Sequence, residues 1–570
     1  MNVWWVAVDR KQDNSSYEEL KERHAVAQGW PDLGDLWHLW KEDQGKISNA
    51  IAMMGSKYKD FPPPSLAFAY LLSTIESGDI VVAIEATRVR GIAEICPLTR
   101  YVYDRDGKVS GCDPTKWHQK RKDFEYAHCL FPVKWVDWEE LGVGWKPQAP
   151  AQSVQGIRGV VDSKNEVVKV WEDYKKASGF KPCEGLEAQL KRLEQYIEDV
   201  RRRKMEEKLG ILKALLEQHH QIVLQGPPGT GKTHSAKALA AFMLGFDPLA
   251  ASNKEHEQHE GFNDRRFSDR KGVNGKGCWE IIQFHPAYNY EDFVRGIKVK
   301  TENNSIHYET KNRIFAEMCQ EAAKEENKDK AFILIIDEIN RAHLAAVMGE
   351  LIYALEYRGE KVRTPYEVDG DATLMVPKNL YIIGAMNTAD RSIGHIDYAV
   401  RRRFAFCSLL PEEDLLVEYY GGNKNHVALK MFQQVSGLFK NEDKTQARPL
   451  SPEFHPDDVQ VGHTYFMAKT KEMAKAKEEL FSKFIYQVYP LLREYYKDGI
   501  LVKTGGEALK VLGVSLSSQE KADEILDKLK IQFPDQGAKE GEKEAQVDHP
   551  AGMGDGQETQ PPANDPSATS

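Results

Sequence analysis

The sequence predicts a multidomain α/β protein: a small mixed α/β barrel, then a parallel-sheet α/β core with a helical lid, then a disordered acidic tail. Three observations carry that expectation. Ten of the eleven tryptophans lie before residue 172, which sets off an amino-terminal unit of distinct composition. A complete phosphate-loop pattern, Gly226-Pro227-Pro228-Gly229-Thr230-Gly231-Lys232-Thr233, stands between the apolar run Ile222-Val223-Leu224 and a helix-like stretch from Ser235 to Leu244. From Gln221 onward, continuous β-branched runs alternate with helical stretches, as in a parallel sheet covered on both faces.

At 570 residues the chain is too long for one core, so several units are expected. Composition shifts divide it into an amino-terminal domain (1–150), a linker and helix (151–205), a nucleotide-binding core (206–410), a helical lid (411–530) and a tail (531–570). In the first domain the best strands are Val3–Val8, Ile80–Ala86, Gly91–Ile95 and Pro132–Val136, the middle two adjacent. Residues 146–182 read as a connector. Residues 184–220 are strongly helical, and their run Arg201-Arg202-Arg203-Lys204 suits a solvated helix face or, less simply, a nucleic-acid contact. In the core the expected strands are Gln221–Leu224, Glu280–Phe284, Phe332–Ile336, Leu380–Ala385 and Phe404–Leu409. Ala251–Gly277 is polar and Gly-rich, as in a mobile surface insertion. Phe481–Tyr496 reads as an amphipathic helix kinked at Pro490.

Seven cysteines are scattered singly, without CxxC pairs, which suits reduced thiols and a cytoplasmic location. The start, Met1-Asn2-Val3-Trp4-Trp5, lacks the basic and apolar regions of a signal peptide. No stretch approaches a membrane span. The formal net charge is −10, but residues 535–570 alone hold eight acids against two lysines. The rest is only mildly acidic, so charge alone does not predict strong non-specific DNA binding.

The phosphate-loop glycines let backbone N–H groups wrap a phosphate at a helix start. Lys232 would bridge the β- and γ-phosphates and Thr233 would hold Mg²⁺; His234 follows directly in the same binding stretch. The strand Phe332-Ile333-Leu334-Ile335-Ile336 ends in Asp337-Glu338, at the strand edge where ligands bind. Asp337 would contact Mg²⁺, and Glu338 would polarise the attacking water. Asn387, after Leu380–Ala385, is placed to orient that water. In Ile396-Asp397-Tyr398-Ala399-Val400-Arg401-Arg402-Arg403-Phe404, an arginine (Arg402 or Arg403) could reach a neighbouring subunit's nucleotide as a finger, its planar fork neutralising transition-state charge. A surface basic cluster is the plainer alternative.

These elements, in this order, resemble the AAA+ ATPase superfamily. Within it, Gln283-Phe284-His285-Pro286-Ala287-Tyr288-Asn289-Tyr290-Glu291-Asp292-Phe293, Ile336-Asp337-Glu338-Ile339-Asn340-Arg341, Asn379-Leu380-Tyr381-Ile382-Ile383-Gly384 through Ser392, and Gly462-His463-Thr464-Tyr465-Phe466 are similar to McrB-type restriction GTPases. Ala385 replaces the usual threonine. The resemblance covers roughly residues 205–500. It implies a homo-hexamer that hydrolyses GTP rather than ATP with Mg²⁺ and works with a separately encoded McrC-type nuclease subunit, without any membrane. It also places Asn340 and Arg341 at the active-site rim beside the subunit interface. The phosphate motif itself is silent on the base. An ATP-dependent protein-remodelling ring of the MoxR kind is the alternative.

The segment GDIVVAIEATRVRGIAEI with HCLFPVKWVDW resembles the EVE group of YTH-like (PUA-type) barrels, in which a modified base is flipped into an aromatic cage. Stacking on aromatic faces can offset the cost of flipping. Trp30, Trp37, Trp40 and Trp117 are the pocket candidates, against the plainer reading that most tryptophans are core. Residues 1–150 hold 19 Lys/Arg against 22 Asp/Glu, so phosphate attraction would need a local patch such as 100–122. By this resemblance the domain would detect modified DNA.

Overall fold

The computed structural model describes residues 2–9, 17–28, 75, 77–85, 88–103, 109, 128–145, 157–159, 164–254, 256–269, 275–302, 305–390, 396–420, 426–441, 443, 445–470, 473–503 and 508–534. Trp30, Trp37, Trp40, Trp117 and the expected disordered tail from 535 onward lie outside the described residues.

The amino-terminal domain is built from β1 (Val3–Asp9), β2 (Val26–Gln28), β3 (Ile80–Glu85), β4 (Arg88–Glu94), β5 (Arg100–Tyr103), β6 (His128–Phe131), β7 (Val136–Asp137) and β8 (Ile157–Gly159). They form a five-stranded sheet, β7-β4-β3-β1-β8, and a three-stranded sheet, β2-β6-β5. β3 and β4 pair antiparallel, with Ile80 opposite Glu94. β3 is buried along its whole length, which is why it reads as a continuous apolar run rather than an alternation. Of the expected Pro132–Val136 only Val136 lies in a strand, at the start of β7; the preceding strand is His128–Phe131, and Pro132 has no N–H to extend its ladder.

The expected connector instead belongs to this domain. Ile157–Gly159 adds an edge strand to β1. The helix Lys164–Ser178 buries Trp171 completely, and the Trp171 indole donates to Glu94 Oε2 at 2.7 Å. Trp5, Trp135 and Trp138 are also buried, so each of these four tryptophans serves the core.

The helix Glu187–His219 has 33 residues, about 50 Å of rise. Leu193 packs into the amino-terminal core, and Leu209 and Leu216 into the next one. Its basic run is engaged within the chain. Arg201 lies over the Tyr419 ring, Arg202 pairs with Asp247 at 3.2 Å, and Lys204 pairs with Glu418.

From Gln221 the chain forms β9 (Gln221–Gly226), β10 (Gly277–Gln283), the hairpin β11 (Arg295–Glu302) and β12 (Ser305–Asn312), β13 (Ala331–Asp337), the hairpin β14 (Lys361–Val368) and β15 (Asp371–Met375), β16 (Leu380–Asn387) and β17 (Ala405–Ser408). The central sheet has the order β10-β13-β16-β9-β17 and is parallel throughout. Helices cover both faces, so the strands carry apolar residues on both sides. Ala251–Gly277 is not a loose insertion where described. Phe262 is buried and stacks on Trp279, centroids 4.6 Å apart, and Arg266 pairs with Glu280.

The lid packs Glu413–Tyr419, Val427–Ser436, Met473–Lys497 and Ala522–Gln532 around one apolar core. The expected kink at Pro490 is a wider π turn, Phe484–Val488, directly before the helix Tyr489–Lys497. That turn accommodates the missing proline N–H. No helix among the described residues is long and apolar enough to cross a membrane.

Two lid histidines are buried. His426 stacks on Tyr420 and His463 accepts from the Glu412 N–H; burial lowers each to about 4. Both are therefore neutral in the fold, and protonation favours the unfolded chain. Their contribution is complete above about pH 6.5 and is lost as pH falls toward 4, on the order of 2 kcal/mol per histidine. Melting temperature should thus fall between pH 6.5 and 4.5. His426→Asn, which keeps a capping side chain, should flatten that dependence, as a pH series of thermal melts would read.

Candidate nucleotide site

Three strand ends meet at the carboxyl edge of the central sheet. β9 delivers the phosphate loop, β13 delivers Asp337 and Glu338, and β16 delivers Asn387. Parallel pairing sets Asn387 opposite Gly226 and Ile336 opposite Gly384. The loop then enters the helix Lys232–Met243, whose N-terminal dipole favours an anion.

The loop turns through left-handed backbone at Gly229 (φ 78°) and Gly231 (φ 80°), which glycine adopts without steric cost. The Lys232 amine is buried and donates to Gly226 O at 3.0 Å and Pro227 O at 2.8 Å. Burial pulls it down to about 8, against the opposing pull of Glu338 and Asp337. A bound phosphate would supply the counter-charge that these carbonyls only partly replace. Thr233 Oγ1 lies 3.1 and 3.2 Å from the two Asp337 oxygens. A hydroxyl facing a carboxylate beside a phosphate cradle is a donor set that fits Mg²⁺. His234 points elsewhere, to Ser252 Oγ at 2.9 Å.

Glu338 holds a left-handed backbone, at φ 52°, unusual for a residue other than glycine. Such conformations gather at functional sites. Its Oε1 accepts from the Asn387 amide at 2.9 Å and its Oε2 from Arg341 Nε at 3.0 Å. Arg341 also reaches Asp390 at 3.1 Å, and its basicity is raised, mainly by the Glu338 hydrogen bond. The Asn340 amide donates to Asn387 O at 3.3 Å. Its buried Oδ1 has no hydrogen-bond partner among the described residues.

The arginine triplet lies at the other end of the sheet. Arg403 precedes β17, and its carbonyl accepts from the Gln221 side chain at the start of β9. The length of β9, about 3.3 Å per residue, separates the triplet from the loop of the same chain. Burial then divides the three. The Arg403 side chain is 9% exposed and pairs with Glu356 at 2.6 Å, whereas that of Arg402 is 66% exposed and only grazes Glu356 at 3.5 Å. Arg401 lies over the Phe406 ring. Of the two arginines expected as fingers, Arg403 is committed inside its own chain and Arg402 is presented outward.

Sequence reasoning gave no role to Glu356, Asp390 or Thr464. The lid segment Gly462–Phe466 was legible as a signature, but its destination was not. It lies on the phosphate loop, with the Thr464 N–H and hydroxyl both donating to Gly229 O, at 3.0 and 2.9 Å.

Two stretches of the chain match known domain families. Residues 273–404 match the AAA domain of the dynein-related subfamily, and residues 453–500 match the McrB alpha-helical lid domain. The chain carries an McrB-type AAA domain and McrB lid. It is 33% identical over 287 residues to the type IV methyl-directed restriction enzyme EcoKMcrB subunit of Escherichia coli K12, covering 49% of this chain and 54% of that protein. It is 26% identical over 228 residues to the type II restriction enzyme BsuMI component YdiS of Bacillus subtilis 168, covering 35% and 63%. The chain thus spans between half and two thirds of these relatives. The solved structure of C. elegans PCH-2 is 15% identical, covers 57% of this chain and 69% of that one, and has a TM-score of 0.19.

The division of the triplet has a measurable consequence. Arg403→Ala should lose about 1–3 kcal/mol of stability, because it removes a side chain that is itself buried, donates to Ala399 O and pairs with Glu356. Arg402→Ala should change stability by less than about 0.5 kcal/mol. Urea unfolding of the full chain distinguishes the two.

Proposed function

We propose that this chain is the nucleotide-driven motor subunit of a modification-dependent restriction system. It hydrolyses GTP in a homo-hexameric ring, translocates on or remodels DNA, and activates a separate McrC-type nuclease subunit. The amino-terminal domain, read as EVE-like, detects the modified base, and Trp30, Trp37, Trp40 and Trp117 stay as its pocket candidates. The McrB-type lid and the two restriction-enzyme relatives favour this reading over the MoxR-like remodeller.

One observation carries the enzymatic part. Glu338 is held between Asn387 and Arg341, beside the Thr233–Asp337 pair that suits Mg²⁺. Lys232 and the loop N–H groups hold the phosphates. Glu338 takes the role of general base toward water that Asn387 helps to place, with Asn340 steadying Asn387 from its carbonyl. Mg²⁺, when held by Thr233 and Asp337, neutralises phosphate charge. Arg402 reaches the nucleotide of the next subunit, because its own loop lies at the opposite sheet edge. The preference for GTP rests on the McrB relationship, since the loop contacts only phosphates and metal.

Lys232→Ala should abolish nucleotide binding. Glu338→Gln should keep binding and lower turnover by on the order of 100- to 10,000-fold; phosphate release at the wild-type rate would reject Glu338 as the base. Arg402→Ala should keep affinity and lose turnover, and mixing it with Lys232→Ala should restore activity if the finger acts between subunits. Parallel GTP and ATP turnover assays read the base preference. Binding of the full chain to duplexes carrying different modified bases tests the DNA-sensing part.

A further inference from the structure

A peptide plane that turns its N–H toward a phosphate turns its carbonyl away. A phosphate loop therefore exports a set of outward carbonyls, each of which needs a donor. In this chain the inner ones are met locally. Pro227 O accepts from Thr230 Oγ1 at 3.0 Å and from Lys232. The next two, Pro228 O and Gly229 O, receive their donors from the lid. The Gly462 N–H reaches Pro228 O at 2.9 Å. Thr464 gives Gly229 O two donors, its N–H at 3.0 Å and its hydroxyl at 2.9 Å.

Packing makes the contact close as well as polar. A Cβ added to Gly462 would stand 2.0 Å from the carbonyl carbon and oxygen of Gly229, and one added to Gly229 would stand 2.5 Å from the Tyr465 ring. A second tie joins the lid to the strand that carries Asn387: Thr388 Oγ1 donates to Asp458 O at 2.7 Å. The lid thus grips the loop from outside while the loop's inner surface stays turned toward the phosphates.

We propose that the Gly462–Thr464 segment is a clasp that holds the phosphate loop in its phosphate-receiving form, with Thr464 as its positioning residue. Thr464 acts on the nucleotide only through Gly229. Because the lid donors and the phosphate both favour the same orientation of the loop peptides, they reinforce each other. That coupling is reciprocal by necessity: a docked lid tightens nucleotide binding, and bound nucleotide tightens lid docking. The clasp rests on the reading of this loop as the nucleotide site.

The test uses the full chain and whichever purine triphosphate the wild type hydrolyses. Thr464→Val keeps the shape and the N–H donor but removes the hydroxyl. Its nucleotide dissociation constant should rise about 3- to 10-fold, the effect of one such hydrogen bond, and Thr464→Ser should return it to the wild-type value. A purely structural threonine would lower the melting temperature without moving the dissociation constant. In the wild type, hydrogen exchange at the Gly462 and Thr464 amides should slow on adding nucleotide; in Lys232→Ala it should not. If the wild type binds nucleotide while Thr464→Val matches its dissociation constant, or if those amides ignore nucleotide, the clasp is rejected and the nucleotide site stands. If the wild type binds no triphosphate at all, the site reading falls and the clasp with it.

Discussion

Parallel register at three strand ends is the constraint on which the rest of this site depends. Asn387 lies opposite Gly226, and β13 is fixed against β16 by the pairing of Ile336 with Gly384. A slip of one residue would turn every side chain of the moved strand to the other face. Asp337 would then leave Thr233, and Glu338 would leave Asn387. What resists the slip is packing: Phe332 through Ile336 are each essentially inaccessible to water, so a shifted strand would have to repack differently shaped side chains on both faces. The apolar strand is therefore the positioning device for the carboxylates that follow it.

Much of this was legible in the sequence, and the reasons are physical. The inner strands of the central sheet announce themselves because a strand buried on both sides is apolar along most of its length. The phosphate loop is legible because wrapping an anion with backbone requires glycines at fixed places. Contacts between distant segments were not legible. Nothing about Gly462 in isolation says that its missing Cβ makes room for Gly229. Nor does Ile157-Arg158-Gly159 show that three residues add an edge strand to β1, since three residues are too few for a periodicity. The left-handed backbone of Glu338 has no signature at all, because the residue is wanted for its carboxylate and the fold must hold it there.

The arginine triplet shows how burial sorts residues that sequence leaves equivalent. Three consecutive arginines carry the same charge and reach. Glu356 takes hold of Arg403, Arg401 lies over the Phe406 ring, and the Arg402 side chain stays 66% exposed. An arginine at the amino edge of a parallel sheet lies a strand's length from the phosphate loop of its own chain, which is what the proposed action between copies draws on.

The lid and Arg341 bring two more influences to the same phosphate-loop edge. Arg341 divides its charge between Glu338 and Asp390, so the carboxylate read as the base is also an ion-pair partner. Whatever draws Arg341 toward Asp390, or away from both, frees one oxygen of Glu338 for water. The lid approaches from the opposite side through loop carbonyls rather than through any charge. One path acts on the base and the other on the cradle. In the proposed motor, tightening of the phosphate site can precede hydrolysis only if the groups that grip and the groups that cleave answer to different contacts. In that proposal those contacts are Gly229 for the grip and Glu338 for the cut, and they belong to different strand ends.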